Sequence, residues 1–126
     1  DTPTASTLAQ FKRLTTALIG VGAWEGGHPA IAQALSASDV NKLESAGVVG
    51  HSLPIFFAGE GQVVDAGTAE RAIGITPVEL RAVPRRICVA GGRTKALALE
   101  AVLNSGLVTH LVTDAPAAEA MASSLP

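Results

Sequence analysis

Short apolar runs alternate along the chain with segments in which apolar residues recur every three or four positions. Apolar runs bounded by glycine or proline are typical of strands, whereas the longer spacing indicates helices with one buried face. The runs predict strands over residues 17–21, 48–58, 62–65, 72–75, 86–90 and 110–113. The helical spacing predicts helices over residues 8–14, 37–46, 77–82, 94–104 and 115–123.

Two of the predicted helices carry clear end signals. Ser36 or Ser38 can cap the second helix, and Gly47 is placed to end it in the left-handed conformation that glycine favours. Thr76 and Glu79 have the spacing of a capping box at the start of the third helix. These signals fix the boundaries of both helices more firmly than periodicity alone.

The run at residues 48–58 is interrupted by Pro54, which cannot donate a backbone hydrogen bond to a neighbouring strand. We therefore expect one long strand that is bent or lies at a sheet edge, with His51 within it. A glycine-rich turn follows, and residues 62–65 are expected to return as the partner strand.

Strands alternate with helices toward the C-terminus, which predicts a mostly parallel sheet with right-handed crossovers. The expected fold class is α/β, with a three-layer, Rossmann-like arrangement. Ligands of such sheets bind outside the carboxyl ends of the strands. The loops after Val21, after Ala90 and at Thr113 and Asp114 should therefore lie on one rim. Asp114 is also a natural N-cap for the last helix.

The loop after Ala90 has the composition of an anion-binding turn. Gly91 and Gly92 allow a sharp turn and a close approach of the backbone, while Lys95 adds a positive charge at the mouth of a helix. The segment lacks both GxGxxG and GxxxxGK[ST], so it does not predict a dinucleotide or nucleoside triphosphate site. Because glycines suit this position in any α/β protein, the interpretation depends on the other rim loops.

Composition narrows the classes of function. The 126 residues fit a single domain, and 48% hydrophobic against 16% charged residues indicates a compact body. A formal charge of −2 provides no basic field for nucleic acid. Cys88 is the single cysteine and lies in an apolar run, so no disulfide is expected within the chain. This fits a cytoplasmic protein without a leader or membrane-spanning segment.

Five ordered blocks of sequence carry a family resemblance, namely residues 17–23, 46–50, 71–75, 89–95 and 106–114. With these blocks, the chain resembles the sugar-binding domain of SorC-family transcriptional regulators over residues 8–121. The resemblance implies a fold related to sugar-phosphate isomerases and CoA-transferases, and an effector that is a sugar or, usually, a phosphorylated sugar. It also implies a homo-oligomer that binds DNA through an N-terminal helix-turn-helix domain. These residues would then be the C-terminal part of the effector domain, without the DNA-binding domain.

The resemblance also implies ligand contacts, residue by residue. They are Gly91, Gly92 and Lys95 around the effector's phosphate, Asp65, Glu70 and Arg71 of an acidic-arginine pattern, His51, and Asp114 of a Thr-Asp-Glu motif. Ala69 and Ala115 depart from the family's usual Asn and Glu. His51 stands where the family often has a carboxylate, and a neutral imidazole can form one hydrogen bond but cannot replace a bidentate acceptor.

The glycine-rich segment after the first strand offers further candidates. Gly22 precedes Trp24 and Glu25, and Trp24 could stack on a sugar face or pack over the sheet edge. His28 and His110 have no partners at metal-ligand spacing, and we expect no metal and no other cofactor.

The favoured function is that of a non-catalytic, effector-sensing domain, in which a ligand shifts an equilibrium between two arrangements. The alternative is a fragment of an enzyme of sugar-phosphate metabolism, such as an isomerase or deaminase, which needs a base beside the substrate. Glu25, Asp65 or Glu70 could supply that base, but no second catalytic partner stands out. Arg85 and Arg86 are expected in a solvated turn or an interface.

Overall fold

The computed structural model describes residues 1–24, 30–52 and 54–124, whose strands form two sheets with helices packed against them. The strands are β1 (Thr16–Ile19), β2 (Gly22–Ala23), β3 (Val48–Ser52), β4 (Ile55–Ala58), β5 (Val63–Val64), β6 (Arg85–Val89) and β7 (His110–Val112). The helices are α1 (Thr2–Ala9), α2 (Ala37–Ser45), α3 (Pro77–Ala82), α4 (Ala96–Asn104) and α5 (Ala115–Ser124). Short 3₁₀ turns cover Gln10–Arg13, Ala30–Ala34, Ala69–Arg71 and Arg93–Lys95.

The first sheet is parallel, with the strand order β1-β6-β7. Its register places Leu18 beside Ile87 and Val89 beside Val112. Helix α4 lies between β6 and β7 in sequence, so the connection is the strand-helix-strand crossover that the alternating pattern predicts. The α/β fold class with a parallel sheet is therefore confirmed.

The second sheet is antiparallel, with the order β2-β3-β4-β5. Its presence corrects the single long strand expected over residues 48–58. The chain reverses there, and Ser52 of β3 pairs with Ile55 of β4, which leaves Pro54 in the connection where no ladder hydrogen bond is needed. The expected return strand is present as β5.

Two other predicted elements differ from the structure. Helix α1 begins at Thr2, behind an Asp1 cap, and the chain tightens into a 3₁₀ turn at Gln10. Because α1 buries none of its residues, it has no apolar stripe that would reveal it in the sequence. Residues 72–75 form no strand and lie between a 3₁₀ turn and α3.

The capping signals are confirmed in detail. Ser36, rather than Ser38, caps α2: its hydroxyl accepts from the Asp39 backbone N–H at 3.1 Å, and Asp39 completes the capping box. Gly47 follows that helix with a φ of +76°. Thr76 and Glu79 form the second capping box, at α3.

The main core lies where α4 packs against both sheets. Leu99 and Val102 of α4 are fully buried with Phe57 of the antiparallel sheet. Gly50 of β3 makes this contact close, because a Cβ there would lie 2.5 Å from the Ala98 Cβ. None of the helices in the described ranges is long and apolar enough to cross a bilayer.

Arg86 is a structural residue, which corrects the expectation of a solvated turn. Its guanidinium donates to four carbonyl oxygens at the C-terminal ends of helices, at Arg81 (3.2 Å), Val83 (2.7 Å), Gly106 (3.3 Å) and Leu107 (2.8 Å). These carbonyls have no partner within their own helices, so the charged group satisfies the ends of α3 and α4 together. Arg85, one position earlier, remains exposed.

Candidate ligand-binding site

The glycine loop after β6, which its composition predicts to bind a ligand anion, donates a hydrogen bond to a carboxylate of the protein itself. Gly92 has a φ of +101°, and its backbone N–H donates to both Asp114 carboxylate oxygens, at 3.0 and 2.9 Å. A Cβ at Gly91 would lie 2.7 Å from Asp114 Oδ2, so the carboxylate sits directly on the loop. Any ligand anion at this loop must therefore share it with Asp114.

Asp114 also fulfils its predicted structural role. Its Oδ1 accepts from the Ala117 backbone N–H at 3.0 Å, which caps α5. The N–H groups of Gly92 and then Ala117 hold the pKa of Asp114 below its ordinary value of 3.8. The carboxylate is therefore ionised and joins the glycine loop to the first turn of α5.

Replacing Asp114 with asparagine should reduce stability at neutral pH but not in acid. The pKa of Asp114 is lower in the folded protein than in the unfolded chain, so near and below pH 3.8 the unfolded chain binds more protons than the folded protein does. The stabilisation that the carboxylate charge provides is therefore lost as the pH falls through the folded pKa. Urea denaturation midpoints of wild type and Asp114→Asn should differ most at pH 7 and draw together as the pH falls through and below 3.8. The control is Glu119→Gln, which removes an exposed carboxylate farther along α5. A difference between the midpoints of wild type and Asp114→Asn that stays the same at every pH would contradict a stabilising role for the Asp114 charge.

Lys95 lies at the junction of the rim loops. It ends the 3₁₀ turn Arg93–Lys95, which contacts both β2 and α5. Its side chain is half-buried, and its charge helps to lower the pKa of His51 and opposes the increase that burial causes in the pKa of Cys88. The charge of Lys95 therefore acts on side chains of both β3 and β6.

His51 packs against the backbone of Gly22, its partner across β2 and β3. A Cβ at Gly22 would lie 2.5 Å from His51 Nε2, so the glycine makes room for the ring. Burial, and then the charge of Lys95, lower the pKa of His51, which keeps the imidazole neutral near pH 7. Its Nδ1 is buried and has no hydrogen-bond partner within the described residues.

The structure thus brings together six of the predicted site residues. We call this group the rim cluster, and it consists of Gly22, His51, Gly91, Gly92, Lys95 and Asp114. It contains a cation, a neutral imidazole and an exposed carboxylate on a glycine-rich backbone. These groups suit a ligand that carries both an anionic group and hydroxyls.

Asp65, Glu70 and Arg71 form a separate group on the loop after β5. Asp65 Oδ1 accepts from the Gly67 backbone N–H at 2.9 Å, and Arg71 pairs with Asp39 of α2 at 2.9 Å. Glu70 is exposed. Within the described ranges, no hydrogen bond or ion pair joins this group to the rim cluster.

A cavity of about 320 Å³ lies beside this second group. Arg71 and Thr68 are its polar side chains, and its other lining side chains are apolar, including Phe56 and Ile73. Thr68 Oγ1 is buried without a hydrogen-bond partner in the described part of the chain. Phe56 also contacts the His51 ring, with 6.1 Å between the centroids, so one aromatic side chain lies between the cavity and the rim cluster.

Trp24 is not part of the rim cluster. Trp24 is buried and packs edge-on against Phe56, with 5.9 Å between the centroids. This corresponds to the packing alternative, because a buried indole has no free face for a sugar. Glu25 lies outside the described residues.

Asp39 is a functional candidate that the sequence reasoning missed. It is buried, and its pairing with the Arg71 guanidinium and its hydrogen bonds to Ser36 hold its pKa below 3.8. The signal was present, because Asp39 follows Ser36 at capping-box spacing. That signal indicates a helix start, however, and not a partner for a distant arginine.

Comparison with known proteins identifies the family of this domain. The Sugar-bind family model, which describes a sugar-binding domain, matches residues 1–123. The chain belongs to the Sugar-bind family. A curated relative, the transcriptional regulator LsrR of Escherichia coli O139:H28 (strain E24377A / ETEC), is 40% identical over 76 residues, which cover 60% of this domain and 24% of that protein.

Solved structures have the same fold as this Sugar-bind domain. A domain of a possible sugar-binding transcriptional regulator from Arthrobacter aurescens TC1 matches with a TM-score of 0.76 and 32% identity, over 91% of this chain and 44% of that one. The full-length sorbitol operon regulator SorC from Klebsiella pneumoniae matches with a TM-score of 0.83 and 23% identity, over 94% of this chain and 39% of that one. The chain thus spans less than half the length of these relatives.

Proposed function

We propose that this Sugar-bind domain is the effector-sensing part of a bacterial-type transcriptional regulator and that its effector is a phosphorylated sugar. The observation that carries the proposal is the placement of Lys95 beside His51 and the glycine loop, in a chain of a sugar-binding family. The complete protein would be a cytoplasmic homo-oligomer that binds DNA through a helix-turn-helix domain outside these residues.

The phosphate is expected nearer to Lys95 than to the Gly92 amide. Asp114 already occupies that amide and repels a second anion. The first amides of the Arg93–Lys95 turn have no acceptor within the turn, and the Lys95 ammonium adds a full charge beside them. The sugar hydroxyls would then face His51 and the remaining acceptor positions of Asp114.

The proposed activity is binding without turnover. A general base works best with a pKa near the operating pH, whereas backbone hydrogen bonds lower the pKa of Asp114. The pKa of His51, on which the charge of Lys95 acts, is lowered as well. We therefore expect no conversion of ribose or hexosamine phosphates by the complete protein.

Replacing Lys95 with alanine should weaken binding of the best sugar phosphate by about tenfold or more, because a hydrogen bond to a charged group contributes about 1.5–3 kcal/mol. Isothermal titration calorimetry of the complete regulator, with a panel of sugar phosphates and the matching free sugars, measures this change. The variant should bind the free sugar as weakly as wild type does.

Arg93→Ala is the matched control, since it removes a cation two positions away. The Arg93 side chain is 68% exposed and lies 3.9 Å from Glu119 of α5. An exposed pair of this kind contributes little, so binding should change less than twofold. Equal losses in both variants would show only a general effect of charge, and unchanged binding in Lys95→Ala would overturn the proposed phosphate contact.

A further inference from the structure

The cavity of about 320 Å³ beside Arg71 has the properties of a site for a small molecule. Its polar side chains are Thr68 and Arg71, and we call it the Thr68 cavity. Its other lining residues are apolar and come from three segments of the chain, namely Ile31, Ala34, Leu35, Pro54, Phe56, Ala72 and Ile73. Small-molecule sites are mostly apolar, have volumes from about 300 Å³ upward and contain a few polar groups that orient the ligand. The Thr68 cavity has this size and this composition.

Thr68 has a hydroxyl group without a partner. The residue is 6% exposed, and its Oγ1 is buried and makes no hydrogen bond within residues 1–24, 30–52 and 54–124. A smaller cavity of about 160 Å³ also has Thr68 in its wall, so this residue lies where two spaces meet. A buried polar group without a partner is destabilising, and native proteins satisfy nearly all such groups. A hydrogen-bonding molecule in the Thr68 cavity would supply the missing partner.

Arg71 determines the charge that the cavity accepts. Its Nη2 pairs with the Asp39 carboxylate at 2.9 Å, and its Nε donates to the Gly67 carbonyl oxygen at 3.1 Å. The guanidinium has five N–H donors, so it keeps others for a ligand. Its charge is already balanced by Asp39, whose carboxylate repels a second anion. An uncharged acceptor, such as a carbonyl oxygen, approaches Arg71 without that repulsion.

We propose that the Thr68 cavity is a second binding site, for an uncharged small molecule with an apolar body and a hydrogen-bond acceptor. The apolar walls hold the body of the ligand, and Thr68 and Arg71 donate to its acceptor. A sugar phosphate does not fit this description, because apolar walls leave its hydroxyls without partners. Phe56 lies between the cavity and His51 of the rim cluster, so the two sites are separate. The proposal does not depend on which ligand the rim cluster binds.

Benzamide is the probe for this site, because it has an aromatic body and one uncharged carbonyl group. Benzoate has the same shape with a negative charge. In ligand-observed nuclear magnetic resonance titrations of the complete protein, benzamide should bind with a Kd in the millimolar range. Benzoate should bind at least about threefold more weakly, because of Asp39.

Two variants and a control locate the bound probe. Thr68→Val keeps the shape of the side chain without its hydroxyl and should weaken benzamide binding by about fivefold, the effect of one hydrogen bond. Ala72→Phe adds a ring to the wall that both cavities share and should weaken binding by at least about tenfold. Ala5→Phe adds the same ring to an exposed position of α1 and should leave binding unchanged.

The outcomes that overturn the proposal are distinct. Absence of benzamide binding, or binding that Ala72→Phe leaves unchanged, would show that the cavity is not a site. Tighter binding of benzoate would show that the site selects anions, and displacement of benzamide by a sugar phosphate would show that the two sites are one. If circular dichroism shows that Ala72→Phe is unfolded, the methyl resonances of wild-type Ile31 and Ile73 decide the question. They should shift with benzamide, whereas that of Ile19 in β1 should not.

Discussion

Replacing Arg86 with alanine should lower the free energy of unfolding by about 3 kcal/mol, the largest effect that we expect from a single substitution in this domain. The guanidinium donates to carbonyl oxygens at the ends of both α3 and α4. Alanine would leave these acceptors, of which those at Val83 and Leu107 are part-buried, without their charged donor. Urea denaturation followed by circular dichroism measures the change.

Two further variants identify the cause of this loss. Arg85→Ala removes an exposed guanidinium next in sequence and should change stability by no more than about 0.5 kcal/mol. Arg86→Lys keeps the charge, but the lysine ammonium lacks the planar guanidinium that donates to four carbonyls at once. This variant should therefore remain clearly less stable than wild type. If Arg86→Lys is as stable as wild type, charge alone is sufficient and the geometry that we describe is not needed.

Replacing Gly50 with alanine should destabilise the protein by about 2 kcal/mol, because the added methyl group overpacks the contact between β3 and α4. It would lie 2.5 Å from the Ala98 Cβ and 3.0 Å from the Gly22 carbonyl oxygen, and both are parts of rigid elements. Thermal and urea denaturation measure the effect.

Gly59→Ala is the matched control for Gly50→Ala. A Cβ at Gly59 would meet its nearest atom, Val49 Cγ1, at 3.9 Å, which is an ordinary contact. Its backbone does not require positive φ, so alanine should be neutral or slightly stabilising. A Gly50→Ala variant as stable as Gly59→Ala would show that α4 does not pack against β3 in the way described.

The sequence predicted the features that depend on local chemistry. Gly47 and the capping boxes of α2 and α3 are recognisable because each involves residues within a few positions of one another. The alternation of strands and helices toward the C-terminus predicted the parallel sheet, because a helix between two strands is the usual connection of parallel strands. The reversal around Pro54 was missed because an apolar run does not reveal whether a proline bends a strand or separates two strands.

The site was predicted less completely, because its contacts join distant parts of the chain. The composition of the glycine loop predicted a site for a ligand anion, which stays a prediction, whereas only the fold shows that the Gly92 N–H donates to Asp114, 22 positions away. The pairing of Arg71 with Asp39, and the four carbonyls on Arg86, likewise depend on how the elements pack. Ligand binding by the rim cluster stays a prediction.

The shared carboxylate of Asp114 has a mechanical consequence. A single side chain accepts hydrogen bonds from the glycine loop and from the first turn of α5. The loop and the helix therefore cannot move apart without breaking one of these bonds. A shift of the Gly92 amide would therefore change the geometry of the hydrogen bond that Asp114 accepts from the first turn of α5, so the two segments are expected to move together.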